Sequence, residues 1–138
     1  MSSKILVTSA LVYANGPLHI GHLVEYIQTD IYVRFLKLTG KDVIYCCADD
    51  THGAPIQINA DKQGITPKEM IDKYYKEHTE DFEKFNVKFD RYYTTHSDEN
   101  QHFADLLFKR AQKKGLIYKK EISQLHCPKS AVKYVLHF

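Results

Sequence analysis

The sequence has little of what marks a secreted or membrane protein. Its 138 residues include three cysteines and no tryptophan. Cys46 and Cys47 are adjacent and the cysteine count is odd, so we expect no disulfide framework and a reducing compartment. The apolar run near the start, residues 5–7, is too short for a signal peptide or a membrane span. These absences predict a cytoplasmic protein with no membrane partner.

The chain also lacks a strong excess of charge of either sign. Its formal net charge is +2, whereas a nucleic-acid surface normally shows as a dense cluster of Lys and Arg on one face. The charge therefore neither supports nor excludes an RNA partner. No internal repeat or low-complexity linker interrupts the sequence, and its length is that of one domain with one hydrophobic core.

What the sequence does contain is an alternation of strand and helix patterns. The predicted elements are a strand at 5–10, a helix over 18–40, a strand at 42–48, a short helix at 55–64, a helix over 66–86, a strand at 89–93 and a helix over 97–115. Residues 117–125 are a candidate for a further strand. Strands that alternate with helices predict right-handed crossovers and a parallel sheet, so the predicted fold class is α/β.

Two of the predicted helices carry an apolar face. In the first helix the face that we expect to pack on the sheet contains Leu23, Ile27, Ile31 and Phe35. In the helix over 66–86 it contains Met70, Ile71, Tyr74, Tyr75, His78, Phe82 and Phe85. Thr66 and Glu69 are spaced for a capping box at the start of that helix. His78, His96 and His102 are interpreted as structural or solvated, because none has a partner at ligand spacing.

The loop after the first predicted strand leads to His19 and His22, with Gly21 between them. Ligands of doubly wound sheets bind beyond the carboxyl ends of the strands, and a helix N-terminus with unpaired N–H groups can hold a phosphate. Histidines at i and i+3 share a helix face, and Gly21 would let a flat ring or backbone come close. Spacing alone leaves open a chance metal pair or two surface residues. No further ligands accompany the pair, so we assign no zinc or other metal site.

The loop after the second predicted strand carries two carboxylates, Asp49 and Asp50. If the first two strands are neighbours, both loops meet at one edge of the sheet, and one carboxylate could bind a substrate ammonium group. The alternative is that both aspartates cap the following turn, which is common for Asp in loops.

The segment 8–22 is similar, nearly residue for residue, to the signature region of the methionyl-tRNA synthetases. The element His19-Ile20-Gly21-His22 by itself is typical of class I aminoacyl-tRNA synthetases and of related nucleotidyltransferases, and the flanking Tyr13-Ala14-Asn15-Gly16 narrows the resemblance to methionine. Segments 47–56, 64–67, 95–97 and 122–125 agree as well, so the resemblance extends from residue 4 to about 125.

The resemblance implies a fold and a reaction. Residues 1–116 would form the first half of a Rossmann-like doubly wound parallel sheet, and residues 117–138 the start of an inserted connective domain, truncated or divergent. The parent reaction would be ATP-dependent activation of L-methionine, with Mg²⁺ bound to the ATP, and transfer of methionine to tRNA(Met).

The resemblance also implies roles for single residues. Those implied to bind ATP are Tyr13, Asn15, Gly16, His19, Gly21 and His22, of which His19 and His22 would be catalytic. Those implied to bind methionine are Ala10, Leu11, Tyr13 and Asp50.

The chain departs from the family's pattern in three places. Val12 stands where the family usually has proline, a small loss of loop rigidity. Residues 127–130, Cys-Pro-Lys-Ser, come where the family has a Cys-x-x-Cys knuckle. No Lys-Met-Ser-Lys-Ser type loop for the triphosphate and no anticodon-reading domain follow, so we expect the first strand to be an exposed apolar edge and the chain alone to have weak or no activity.

Two alternative readings are compatible with these departures. The chain could be a non-catalytic remnant or accessory module that binds ATP, methionine or a complementary chain supplying the missing half. It could also be a small nucleotidyltransferase of the same superfamily, although such enzymes normally complete a five-stranded sheet.

Overall fold

The computed structural model describes residues 4–121. The chain divides into two compact units, Met1–Gln101 and His102–Phe138. Along the described part, no helix combines the length and the apolar character that crossing a membrane requires. Of the candidate strand at 117–125, residues 117–121 form no strand, and the rest lies outside the described residues together with the segment 127–130. The proposed domain boundary after residue 116 stays a prediction.

Every predicted strand and helix before residue 116 is present close to its predicted position. The elements in chain order are β1 (Ile5–Thr8), β2 (Val12–Tyr13), α1 (Ile20–Leu38), β3 (Val43–Asp50), α2 (Ala54–Gln63), α3 (Pro67–Lys84), β4 (Arg91–Thr94) and α4 (Asp98–Lys113). The alternation of parallel strands and helices confirms the α/β class. Strand β2 lies in a segment that was predicted as loop, and it contains Val12, the residue that departs from the family's proline.

Strand β3 is the centre of the sheet, and all of its partners run parallel to it. Its residue Cys46 pairs with Thr8 of β1 and also with Arg91 of β4, so these two strands lie on opposite sides of β3. Strand β2 continues along the β1 side, where Val12 pairs with Asp49. Within residues 4–121, β1 pairs with no strand other than β3, and its Leu6 is 66% exposed. Among the described residues β1 is thus an edge strand of the sheet.

Helices cover one face of this sheet. The chain steps from β1 to β3 to β4 in one direction, and crossovers of the same hand place their helices on the same face. Alternate residues of β3, Val43, Tyr45 and Cys47, are buried there in one cluster with residues of α1 and with Phe82 of α3. The residues between them are only half-buried. A second cluster joins α2 to α3 through Ile56, Ala60, Met70, Ile71 and Tyr74.

The buried face of α1 differs from the predicted one. Leu23 is buried as expected, but Ile31 is 60% and Phe35 58% exposed. The buried residues of the helix are Leu23, Tyr26, Asp30 and Val33. A step of four residues advances about 40° beyond a full helical turn, so three such steps carry a stripe about 120° around the helix. Residues spaced only by four therefore rotate away from the side of α1 that faces the sheet. Residues spaced alternately by three and four stay on that side.

Helix α3 confirms its predicted start and most of its predicted face. Thr66 accepts a hydrogen bond from the Glu69 N–H (3.2 Å), and a Glu69 carboxylate oxygen accepts one from the Thr66 N–H (2.7 Å). Pro67 occupies the first turn, where the missing N–H costs nothing. The buried residues are Met70, Ile71, Tyr74, His78 and Phe82. Phe85 lies at the helix end and is half exposed.

Candidate functional site

The segment after β1 lies along the carboxyl end of β3. Strand β2 places Tyr13 opposite Asp50, and the next residue, Ala14, donates its N–H to the Asp50 carbonyl (2.8 Å). Ala14 is fully buried, which fixes this part of the chain in the core. The loop that carries the predicted ATP residues therefore starts from the point on the sheet where Asp50 ends β3.

Tyr13 and Asp50 form the first pair of predicted residues that the structure brings together. Burial, and then the negative charge of Asp50, raise the pKa of the Tyr13 phenol, so its hydroxyl stays protonated at neutral pH. Gly53 follows β3 with φ of 125°, and a Cβ built on it would lie 2.9 Å from the Tyr13 hydroxyl oxygen. Glycine is therefore required at position 53 both by its backbone conformation and by this close approach.

Asn15 and Gly16 are held by contacts from two helices. The Asn15 side-chain oxygen accepts a hydrogen bond from the amide of Asn59 on α2. The Gly16 carbonyl lies 2.8 Å from Nε2 of His78 on α3. The loop between β2 and α1 is thus tied to the helices that follow β3.

His19 and His22 close the start of α1 with their own side chains. His19 is the N-cap residue, and its Nδ1 accepts a hydrogen bond from the Gly21 N–H (3.1 Å). His22 Nδ1 accepts one from the His19 N–H (3.2 Å), which completes a capping box made of two imidazoles. The rings are stacked with their centroids 3.6 Å apart. The prediction that the two histidines share one helix face is confirmed. The prediction that the N–H groups at the helix start are unpaired is partly wrong, because the two imidazoles accept hydrogen bonds from the N–H groups of His19 and Gly21.

The capping box determines where the two imidazoles carry their protons. Each Nδ1 accepts a hydrogen bond from a backbone N–H, so in the neutral ring the proton lies on Nε2. Burial, followed by the proximity of His19 and His78, lowers the pKa of His22. His22 is therefore neutral at pH 7. The pair presents two Nε2–H donors that can reach an anionic ligand.

Gly21 is needed for this arrangement. A Cβ at position 21 would lie 3.0 Å from Cε1 and 3.1 Å from Nδ1 of His19. The flat ring that comes close to Gly21 is thus the imidazole of His19 itself, which refines the predicted reason for a glycine between the histidines.

Ala10 and Leu11 lie in the turn that joins β1 to β2. The backbone of Ala10 is fixed to α1, because its N–H donates to Glu25 (2.7 Å) and its carbonyl accepts from the Tyr26 hydroxyl (2.6 Å). Leu11 is 47% exposed, so the residues that the structure describes do not enclose it. The predicted methionine residues therefore comprise a fixed turn beside the Tyr13 and Asp50 pair.

Only one of the two neighbouring carboxylates faces the edge of the sheet. Asp50 is half-buried, but Asp49 is fully buried and accepts hydrogen bonds from His78 and from the Tyr92 hydroxyl. Asp49 is therefore unavailable to the crevice at which the two loops were expected to meet, because β3 extends through Asp50 and successive side chains of a strand point to opposite faces. His78 accordingly has partners that its position in the sequence did not reveal, although a histidine on an apolar helix face signals a buried partner.

His96 is also less isolated than predicted. Its ring centroid lies 5.7 Å from that of His52, which follows β3. Among residues 4–121, no group of three or more His, Cys, Asp or Glu side chains is placed to hold a metal ion.

A parallel sheet with a histidine-capped helix at its carboxyl edge is the architecture of a class I synthetase domain. The chain belongs to the family of class I tRNA synthetases (M), whose sequence model matches residues 5–135. Its relatives include the methionine–tRNA ligase of Myxococcus xanthus, 55% identical over 127 residues, and that of Nitrosomonas europaea, 53% identical over 125 residues. The alignments cover 92% and 91% of this chain and 18% of each relative.

A solved structure agrees with these relatives. The fold matches the crystal structure of Mycobacterium tuberculosis methionyl-tRNA synthetase bound by methionyl-adenylate, with a TM-score of 0.79 and 28% identity. The match covers 82% of this chain and 22% of that protein. The chain therefore spans about a fifth of the length of the relatives that it matches.

Proposed function

We propose that this chain carries the ATP and methionine half-site of a methionine–tRNA ligase. The observation that supports the proposal most directly is the pairing of Tyr13 with Asp50 at the carboxyl end of β3, immediately before the histidine-capped start of α1. Ligands of parallel α/β sheets bind at this edge. The relatives are methionine–tRNA ligases, and the Mycobacterium tuberculosis relative holds methionyl-adenylate, the intermediate that such a reaction forms.

In the proposed reaction a methionine carboxylate attacks the α-phosphorus of Mg-ATP. Pyrophosphate leaves, and a ribose hydroxyl of tRNA(Met) then attacks the methionyl carbonyl of the adenylate, so that the mixed-anhydride bond breaks and AMP leaves. The protein needs to orient both substrates and to aim donors at the charge that develops on the phosphate oxygens. The imidazoles of His19 and His22 are suited to that task, because each uses Nδ1 in the capping box and keeps Nε2–H as a donor. They donate hydrogen bonds to the phosphate oxygens.

The methionine end of the site depends on charge and on apolar contact. Asp50 is the carboxylate for the substrate ammonium group, and Tyr13 lies beside it as a protonated phenol. Ala10 and Leu11 border the thioether side, where apolar walls suit a flexible methionine chain. Asn15 and Gly16 shape the approach of ATP between the two ends of the site.

The chain by itself is expected to bind substrates better than it turns them over. Its 138 residues contain no Lys-Met-Ser-Lys-Ser type sequence. Loss of a single donor to transition-state charge typically reduces a rate by about two to three orders of magnitude.

Calorimetric titration of Mg-ATP and of methionine, together with methionine-dependent exchange of pyrophosphate into ATP, tests the proposal. We expect Asp50→Asn to weaken methionine binding and leave ATP binding intact. His22→Asn should have the opposite selectivity. Asp72→Asn is the matched control, because Asp72 is an exposed carboxylate paired with Lys68 on α3. Equal effects of all three substitutions, or no binding of either substrate by the unmodified chain, would contradict the proposal.

A second candidate function is favoured by the exposed edge of β1. Leu6 is 66% exposed on a strand that pairs on one side only within residues 4–121, which is the arrangement of a surface that accepts another strand. The chain would then be a non-catalytic module that binds a complementary chain. In that case the chain should bind substrates without catalysing pyrophosphate exchange. Exchange should then appear when a polypeptide with the remaining four fifths of a relative is added. This pair of results would favour a binding module over independent catalysis.

A further inference from the structure

His78 is a buried histidine whose two ring nitrogens both contact acceptors. Nδ1 lies 2.9 Å from a carboxylate oxygen of Asp49, and Nε2 lies 2.8 Å from the Gly16 carbonyl oxygen. The side chains of His78 and Asp49 are fully buried. A carbonyl oxygen cannot donate a hydrogen bond, so Nε2 carries a proton, and Nδ1 carries one as well when the Asp49 carboxylate is ionised. This geometry suits an imidazolium at His78 paired with the Asp49 carboxylate in the core.

The contacts of Asp49 agree with its being ionised. The oxygen that faces His78 also accepts a hydrogen bond from the Tyr92 hydroxyl, so it has two donors. The other oxygen is buried and has no hydrogen-bond partner among the described residues, so a proton placed there would have no acceptor. Burial acts to lower the pKa of His78, but the hydrogen bonds to Asp49 and Gly16 outweigh it and the pKa is raised.

The pair connects the two ends of the proposed site. Gly16 belongs to the loop that leads into His19, and Asp49 is the strand neighbour of Asp50, the residue proposed to bind the methionine ammonium group. One side chain from α3 thus holds the loop at a set distance from the carboxyl end of β3. This contact comes from α3 and adds to the one that Asn59 of α2 makes with Asn15, so the docking of α3 contributes its own restraint on the loop.

We propose that His78 is a positioning residue that fixes the ATP-binding loop at Gly16 and ties it, through Asp49, to the methionine-binding end of the sheet. The inference rests on the proposed function for the identity of the two ligands. The contacts themselves stand independently of it. A histidine that merely fills the core would contribute to stability without controlling the loop.

Nitrogen-15 NMR of the histidine side chains tests the charge of the pair without any ligand. The titratable groups that face His78 are Asp49 and Tyr92 from the sheet, Tyr74 and Glu77 on its own helix and His22 from α1. In the unmodified chain both ring nitrogens should stay protonated above the ordinary pKa of histidine. In Asp49→Asn the titration midpoint of His78 should fall by about one pH unit or more. A singly protonated His78 at pH 6 in the unmodified chain would overturn the proposal.

A matched pair of variants tests the positioning role. His78→Gln keeps only one of the two contacts, whereas Phe82→Leu disturbs the same helix one turn later, at a residue that packs in the core. We expect His78→Gln to shift the backbone amide signals of Gly16 and Gly21 and to weaken Mg-ATP binding about tenfold, the usual effect of removing a group that orients a binding residue. Phe82→Leu should lower the melting temperature while leaving those signals in place.

The outcomes separate this inference from the proposed function. Equal shifts of the loop signals in both variants would reduce His78 to a core residue. If the unmodified chain bound no ATP, the proposed function would fail, and the amide shifts and the nitrogen-15 titration would still decide whether His78 holds the loop.

Discussion

His19 and His22 each use Nδ1 for the fold, and the proposed function assigns Nε2 to the ligand. Because Nδ1 of His22 accepts the His19 N–H, protonation of that nitrogen would break the capping box. Burial and the nearby His19 and His78 lower the pKa of His22. The His22 imidazole that helps to cap α1 is therefore a neutral donor at physiological pH.

The titration of His22 is the first testable consequence. Its midpoint should lie below that of an unfolded histidine, so the unfolded chain takes up this proton first as the pH falls. The contribution of His22 to stability is then complete above the unfolded pKa of about 6.5 and is lost as the pH falls towards its folded pKa. The pH dependence of the contribution of His78 has the opposite sign. Its stabilisation is complete below the unfolded pKa of about 6.5 and is lost as the pH rises through the raised pKa of the folded state. Proton NMR of the imidazole Cε1–H signals measures the titration midpoints of His22 and His78. A midpoint above 6.5 for His22 would contradict the prediction that its pKa is lowered.

Gly53 carries the second prediction at this scale. Substitution Gly53→Ala places a Cβ in a backbone conformation with φ of 125° and 2.9 Å from the Tyr13 hydroxyl oxygen. We expect a loss of about 1 to 3 kcal/mol in the free energy of unfolding, measured by urea denaturation. Gly16→Ala is the control, because nothing lies within 4 Å of its added Cβ and its backbone is not in the left-handed region. A similar loss in both variants would show that the close approach at Gly53 is not the cause.

At the scale of elements, the start of α3 decides more than the stability of one helix. The capping box of Thr66 and Glu69 fixes where α3 begins, and α3 carries His78 to Gly16. A shift of the helix start by one residue would turn His78 about 100° away from the loop.

Removal of the cap tests this dependence. Thr66→Ala should lower the free energy of unfolding by about 1 kcal/mol, because the N–H of Glu69 loses its acceptor. Thr66→Ser retains the hydroxyl and should stay close to the unmodified chain. Circular dichroism during urea titration measures the difference, and equal stability of the two variants would mean that the box contributes nothing.

The elements also show what the sequence could predict. Strong local signals such as the turn residues around Gly64 and the Thr66 cap placed every helix, because they depend on neighbouring residues alone. Strand β2 escaped prediction, since two residues carry no periodicity and their pairing with Asp49 and Asp50 depends on residues far along the chain. The same long-range pairing set the end of β3 and so separated the roles of Asp49 and Asp50.

In the candidate site, too, the sequence identified single residues but not the contacts between distant ones. The resemblance placed Tyr13, Asp50, His19 and His22, and the structure brings Tyr13 to Asp50 and stacks the histidines. The partners of His78 depend on how α3 packs on the sheet. No pattern within α3 identifies the loop that it contacts.

At the scale of the whole molecule, the main consequence is a sheet with an open apolar edge. Within residues 4–121 strand β1 pairs only with β3, so its other side offers unpaired backbone groups beside Leu6, and exposed edges of this kind pair with other chains. We expect the 138-residue chain to self-associate as its concentration rises.

Leu6→Lys tests this expectation. A charge at the edge should reduce self-association in sedimentation velocity without unfolding the chain, since Leu6 is already 66% exposed. Leu38→Lys is the control, because Leu38 is 87% exposed at the end of α1 and lies on no strand edge. Equal suppression by both substitutions would point to general solubility in place of edge pairing.

The alternation along β3 has a further consequence for how this chain tolerates change. Asp49 and Asp50 are chemically identical neighbours, yet one completes a buried ion pair with His78 and the other faces the proposed ligand. Deletion or insertion of one residue within β3 would exchange their positions while leaving the local sequence almost unaltered. The proposed site is thus sensitive to the length of this strand as well as to its side chains, and shortening β3 by one residue should abolish binding even where every named side chain is retained.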